Sequence, residues 1–303
     1  MGTEISTYVD KSMYPAKPMD STYPEVTVIS ATPDPLGCIA AASGIYTGRI
    51  LKPTDVTDDE RRKVWEDMMN TALGAPLEFV NLHLFIEGCT RAFTHQLVRQ
   101  RTAVYCQESL RFAVKENFAD SCQLPPSLAM LPKNDQRRQD WQTAIDGMEI
   151  VYSRLIGNGI PAEDARGLLP HAVTTRVHYG TDLRNLMQHV ANRTCTQAQF
   201  EWRHYVVSLR KALGQLSNPY YFSYKQDGPD SPYVRSLSTQ SDNWQWKLIA
   251  KSLVLPPCFR AGRCTFKASF DRPCTIKSRV DAGRFDDINE EEYLLDPQAA
   301  WDR

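Results

Sequence analysis

The sequence predicts an α/β fold of the α+β kind, a mixed or antiparallel sheet flanked by helices, with extra arms at both ends. Three observations carry that expectation. Segments near residues 25–30 and 79–85 alternate with the two-residue period of strands. Capped stretches at helical spacing lie between and after them, the longest from about Gln136 to Ile156. Periodicity fades in residues 1–24 and again beyond Asn218, which marks off an N-terminal arm (1–24), a central domain (25–217) and a C-terminal extension (218–303).

Taken in order, Glu25 to Ser30 reads as the first strand. Thr57 and Glu60 make a capping box, after which Trp65, Met68, Met69, Ala72 and Leu73 share one helical face, and Gly74 ends the helix. From Phe79 to Phe85, Val80, Leu82 and Leu84 alternate with the intervening residues as in a second strand. Gly88 then gives way to a helix from about Thr90 to Val104, which places Gln96, Arg99 and Gln100 within one turn, with His95 alongside. The long helix of 136–156 turns Trp141, Ala144, Ile145, Met148, Tyr152, Leu155 and Ile156 inward, and Gly157-Asn158-Gly159 stops it. Pro161 opens a short helix through Leu168. Two further helices follow near Asp182–Asn192, with Thr181 as cap, and Thr196–Leu213. Within the extension, Trp244 to Leu255 regains helical periodicity.

Composition excludes several classes of function. With 42% hydrophobic and 23% charged residues among 303, the chain reads as a globular protein. Thirty-five basic and 36 acidic residues leave a net charge of -1, so no global field draws nucleic acid or anionic lipid, and any anion site must be local. No apolar stretch approaches bilayer length and no signal sequence opens the chain; a cytoplasmic protein without membrane contact is expected. Eight dispersed cysteines fit a reducing compartment. Cys258, Cys264 and Cys274 cluster, but three unevenly spaced thiols without a nearby histidine do not make a structural zinc site. The six histidines, His83, His95, His171, His178, His189 and His204, show no HExxH spacing, and no metal is expected. Basic residues and phenylalanines interleave between Phe259 and Arg279, but the acidic run from Asp286 to Glu292 argues for a packed tail rather than a nucleic-acid surface.

The densest chemistry lies in residues 99–112, RQRTAVYCQESLRF. Three arginines, Arg99, Arg101 and Arg111, stand there with Ser109 and several amides, against one acid, Glu108. Arginine offers a planar fork of donors that matches phosphate oxygens, and a turn after a helix presents backbone amides. An anion site follows from the residues alone.

The spacing says more. Arg-x-Arg, seven intervening residues, Ser109 and then Arg111 resembles the signature of flavin-dependent thymidylate synthases. A second block is similar to that family's downstream pattern: Ala165-Arg166 before Leu169-Pro170, then Leu183-Arg184-Asn185-Leu186, then Arg193, then Ala198-Gln199-Phe200-Glu201. The resemblance covers about residues 40–215. It implies the thymidylate synthase-complementing protein fold and a pocket for a pyrimidine deoxynucleoside monophosphate, with Gln96, Arg99, Gln107, Ser109, Arg111 and Arg166 binding it. Arg193 is implied as the catalytic residue that polarises the base at C5. Arg99, Gln100, Arg101, Asp182, Arg184 and Gln188 are implied as contacts to FAD, with NADPH and methylenetetrahydrofolate as co-substrates and a homotetramer as the assembly.

Some family positions differ. Gln100 stands for the central histidine of the signature, Phe79 for a histidine after Pro-x-Glu, and Asp182 and Gln188 for asparagines; Val104, Cys106 and Phe112 also differ. Glutamine donates a hydrogen bond as histidine does, yet carries no charge. The resemblance therefore implies C5 methylation of dUMP to dTMP. It leaves open a hydroxymethylase acting on dUMP or dCMP, and a nucleotide-binding relative without turnover. His95, one turn before Arg99, is a candidate to replace the missing imidazole.

Overall fold

Four strands form one sheet in the order β1-β2-β4-β3: Glu25–Ala31 (β1), Asn81–Thr90 (β2), Val104–Gln107 (β3) and Thr174–Asp182 (β4). This computed structural model describes residues 23–71, 73–129, 131–195, 198–216 and 244–253, together with 258 and 261. The expected arm up to residue 22, Cys264, Cys274 and nearly all of the basic, aromatic and acidic stretches of 259–292 lie outside the described residues. Strands β1 and β2 pair antiparallel from Glu25 with Glu87 to Ala31 with Leu82, with a register shift between Val28 and Ser30. Strands β3 and β4 are also antiparallel. At one end the Leu183 N–H donates to the Val80 carbonyl, and at the other the Cys89 thiol donates to the Thr175 carbonyl, so β2 and β4 run antiparallel as well.

The described residues fall into two compact units, one built from 23–108 and the chain after Thr174, the other from Ser109–Thr174. In the larger unit the helices are Pro35–Gly44 (α1), Asp58–Asn70 (α2) and Arg91–Leu97 (α3), with Leu183–Ala191 (α8), Phe200–Gly214 (α9) and Trp244–Leu253 (α10) later in the chain. Alternate strand residues Val26, Val28, Leu82, Leu84, Ile86, Val177 and Tyr179 turn to one side of the sheet and are buried with helix residues in a single core. Helix α9 contributes Trp202, Tyr205, Val206, Leu209 and Leu213, the spacing of one helical stripe. In helix α10, Trp246, Ile249, Ala250 and Leu253 join the same core, and the Trp246 indole donates to the Thr32 carbonyl at 3.1 Å.

The smaller unit holds Phe118–Ser121 (α4), Pro126–Ala129 (α5), Gln136–Gly157 (α6) and Ala162–Ala165 (α7). Its core joins Phe118, Ala119, Cys122, Ala165 and Val173 to Ile145 and Tyr152 of α6. Trp141, Leu155 and Ile156 pack against it, whereas Ala144 and Met148, expected inward, are exposed. A single short unit leaves one flank of a 22-residue helix in water.

Several expected boundaries move. The Thr57–Glu60 capping box is present, but α2 ends at Asn70, so Leu73 is exposed and Gly74 lies beyond the helix. A Cβ on Gly74 would stand 2.9 Å from Arg184 Nε, so the glycine provides room for that arginine instead. Phe79 belongs to a short 3-10 turn, Ala75–Phe79, and not to the second strand. Gly88 sits inside β2 at φ +66°, a conformation glycine adopts freely, and starts no helix. The helix expected over 90–104 stops at Leu97, because the Tyr105 hydroxyl meets the carbonyls of Leu97 and Gln100 and the next residues pair with β4. Asp182, not Thr181, caps α8 by accepting from the Asn185 N–H at 2.9 Å. The following helix begins at Phe200.

Candidate active site

The early end of α3 has a consequence for chemistry. Arg99 and Gln100 leave the helix in a turn held by their N–H groups to the carbonyls of Gln96 and Leu97. That turn faces α8, and between them opens a cavity of about 310 Å³. Gln96, Arg99, Gln100 and Thr102 line one side; Asn185, Gln188, His189, Asn192 and Arg193 line the other. Two arginines, amides and a hydroxyl, with no carboxylate among the lining residues, suit an electron-rich or anionic ring ligand.

Arg193 is the best-held of these side chains. It follows α8, its guanidinium lies 4.8 Å from the Trp202 ring centre, and Nη1 donates to Gln96 Oε1 at 3.0 Å. Burial pulls its pKa down, a sign of partial desolvation that strengthens its field on whatever shares the cavity. Gln96 in turn donates through Nε2 to Gln199 Oε1. Gln199 Nε2 donates to Glu201 Oε2 at 3.3 Å. Glu201 is buried, and its oxygens also accept from the Thr90 N–H and hydroxyl, each at 2.6 Å. Burial raises this carboxyl to about 7 although the Thr90 bonds pull it down.

Gln100 shows a different pattern. Its Oε1 accepts from the Tyr179 hydroxyl at 2.6 Å, while its Nε2 is buried without a hydrogen-bond partner. Buried donors are nearly always satisfied, so this one is suited to an acceptor on a ligand. The imidazole that lines the cavity is His189 of α8, not His95. Burial first, and then the charge of Arg193, lower His189 to about 4, so at neutral pH it is an uncharged ring packed on edge against Trp202 at 5.0 Å.

The structure gathers Gln96, Arg99, Gln100, Gln188 and Arg193 of the expected site residues into this one cavity. Arg101 is exposed and is not among its lining residues. Gln107 Nε2 donates to Thr94 Oγ1 at 2.9 Å. Asp182 spends both carboxylate oxygens on the Asn185 N–H and side-chain amide, and Arg184 pairs with Glu78. Phe79 is 64% exposed. In the smaller unit, the Ser109 carbonyl accepts from the N–H groups of Phe112 and Ala113, and its hydroxyl from the Arg111 N–H at 3.4 Å. Arg111 and Arg166 both reach Glu163, the first at 3.9 Å to its carboxylate and the second by donating to its carbonyl at 3.0 Å. The acid beside Arg111 therefore comes from far along the chain, while Glu108 accepts from the Thr175 hydroxyl.

Thr102, Asn185, His189 and Asn192 were not singled out from the sequence as site residues. Asn185 and His189 could have been found, because they fall at i and i+4 on α8, the same face as Gln188, with Asn192 at i+7 capping its end. Thr102 carries no such signal. Among the described residues, no group of three or more histidines, cysteines and acids could hold a metal ion, and no helix is long and apolar enough to cross a membrane.

Fold and cavity together define a class: an α+β protein whose larger unit opens a cavity lined by two arginines and a set of side-chain amides. The family is more particular. Residues 27–216 match the thymidylate synthase complementing protein, and the chain belongs to that family. A flavin-dependent thymidylate synthase of Geobacter sulfurreducens is 30% identical over 197 residues, 62% of this chain and 82% of that protein. One from Pyrococcus furiosus is 32% identical over 183 residues, 59% of this chain and 74% of that protein. Among solved structures, a UMP/dUMP methylase, PolB from Streptomyces cacaoi bound with 5-Br dUMP, aligns with a TM-score of 0.53 at 20% identity. The alignment covers 64% of this chain and 90% of that one, and bears on the fold.

Proposed function

We propose that the chain is a C5 methyltransferase that converts dUMP to dTMP, with a flavin as cofactor. The observation that carries this reading is the convergence of Arg193, Gln96, Arg99, Gln100 and Gln188 on one cavity. Its relatives are named flavin-dependent thymidylate synthases. Arg193 is permanently protonated and held over Trp202, so it can stabilise the negative charge that develops on a pyrimidine carbonyl as C5 becomes nucleophilic. Arg99 and Gln96 orient the base. Gln107 is proposed as a further nucleotide contact in the larger unit, and Ser109, Arg111 and Arg166 of the smaller unit are proposed as nucleotide-binding donors by their chemistry alone.

The orphaned Gln100 Nε2 tests the fit of a flavin on this chain's own atoms. A donor fixed by Tyr179 suits the acceptor edge of an isoalloxazine ring. Gln100, Gln188, Arg99, Arg101, Asp182 and Arg184 would hold the group, FAD in this proposal. When bound, it supplies the hydride that reduces the transferred carbon to a methyl group, with NADPH and methylenetetrahydrofolate as sources of electrons and carbon. Because Asp182 is already engaged by Asn185 at the positive end of α8, its charge is offset locally. A homotetramer is proposed as the assembly.

The test is mass spectrometry of the product formed from dUMP, methylenetetrahydrofolate and NADPH by the FAD-loaded protein. dTMP is expected. Arg193→Ala should lower turnover by about 10²–10³-fold, the cost of losing one preorganised charge-stabilising donor, and leave dUMP binding within a few-fold. A protein that retains no flavin and forms no dTMP would overturn the reading; a hydroxymethyl product would shift it to the neighbouring chemistry.

A further inference from the structure

Behind the cavity wall a line of side chains runs from Arg193 to Glu201, and every link has a direction. A carboxylate only accepts. Around Glu201, the Thr90 N–H, the Thr90 hydroxyl and Gln199 Nε2 all donate. Gln199 must therefore turn its carbonyl oxygen the other way, where it accepts from Gln96 Nε2. Gln96 then presents Oε1 to Arg193 Nη1. A glutamine amide by itself could lie either way round, since a half rotation exchanges its donor and acceptor. Here a buried carboxyl in its ionised form, accepting on both oxygens, settles both amides.

We infer that Glu201 is a positioning residue: by fixing the orientation of Gln199 and then Gln96, it holds the Arg193 guanidinium in the cavity. The inference rests on the proposed role of Arg193, but the arrangement behind it is read from geometry. Burying an ionisable carboxylate at 4% exposure is costly, and it is retained here with donors on both oxygens. Its neighbour in sequence, Trp202, closes the other side of Arg193, so the first turn of α9 supplies both constraints on that guanidinium. Were the order reversed, Gln96 would offer Nε2 to Arg193, and two donors would face each other.

The experiment is arginine-selective labelling with phenylglyoxal, read at Arg193 by peptide mass spectrometry, in the full chain and in three variants. At pH 8, where the carboxyl is ionised, Glu201→Gln removes the anion and frees both amides to turn; labelling of Arg193 should rise about tenfold, the worth of a hydrogen bond to a charged group. Gln96→Glu placed in the Glu201→Gln background restores an obligate acceptor beside Arg193, with Gln199 now donating toward it. Labelling should return to within about threefold of the parent, while in Glu201→Gln alone kcat for dTMP formation should fall with KM changed less. Gln199→Leu breaks the line in its middle, leaves Glu201 on Thr90, and carries the same expectation should Glu201→Gln fail to fold. Unchanged Arg193 labelling in folded Glu201→Gln, an equal rise at Arg99, or no restoration by Gln96→Glu would each overturn the inference. Because labelling needs no turnover, absence of dTMP formation in the parent would overturn the proposed activity and leave this result standing on its own.

Discussion

At Glu201 burial and hydrogen bonding pull in opposite directions. The carboxyl rises to about 7 on folding, from an unfolded value near that of a free glutamate. A raised carboxyl pKa favours the folded state while the group is protonated. That contribution is complete below the unfolded value and is lost as pH climbs toward about 7. The shift corresponds to roughly 3 kcal/mol. Urea denaturation from pH 5 to pH 8 should show the wild type losing stability relative to Glu201→Gln as pH rises; parallel curves would contradict the assignment. Tyr179 is a second residue with a separable role. Tyr179→Phe deletes the hydroxyl that fixes Gln100, and flavin retention should weaken about fivefold, as expected for a hydrogen bond of ~1 kcal/mol. Equilibrium dialysis with free FAD measures this directly. Gln96, Arg99 and Gln100 were legible in the sequence because donors gathered on one turn are a local property, and Gln188 and Arg193 were legible through the family resemblance; Asn185 and Asn192 were not. The reach of Gln199 and Glu201 to Gln96 and Thr90 was not, since it depends on α9 meeting residues about 100 positions earlier.

Among the elements, those with strong local instructions were legible. The capping box at Thr57 and Glu60 starts α2, and the glycine-rich stop at 157–159 ends α6. Elements set by partners were not. Val104–Gln107 is four residues long and exists through its pairing with β4, a partner about 70 positions later that the local sequence does not name. Helix α10 was legible as a helix, but its burial against α9 and α1 was not. It satisfies α1 as well: Gln245 Oε1 accepts from the buried Leu36 N–H at 2.9 Å, while Asp34 accepts from the Gly37 N–H. Gln245→Ala should destabilise the protein by about 1–3 kcal/mol by leaving that amide without a partner. Trp246→Ala should cost ~3–5 kcal/mol, a fall in Tm of roughly 6–20 °C. Differential scanning calorimetry distinguishes either from a surface substitution, which would leave Tm nearly unchanged.

At the scale of the whole molecule, the larger unit is discontinuous in sequence. It starts before Ser109, resumes after Thr174, and draws α10 from beyond residue 216, where the family match ends. A chain stopped after residue 216 retains all the cavity-lining residues but loses Trp246, Ile249, Ala250 and Leu253 from the core. Its expected behaviour is aggregation or a Tm well below that of the full chain, checked by light scattering and calorimetry. The bond between Leu36 and Gln245 spans 209 positions, so it also orders events in time. During synthesis the first turn of α1 is made early, yet its amide finds a partner only when the chain has grown past Gln245. Until then the half-finished unit stays open to proteases and chaperones, and its core cannot close before Gln245 has been made.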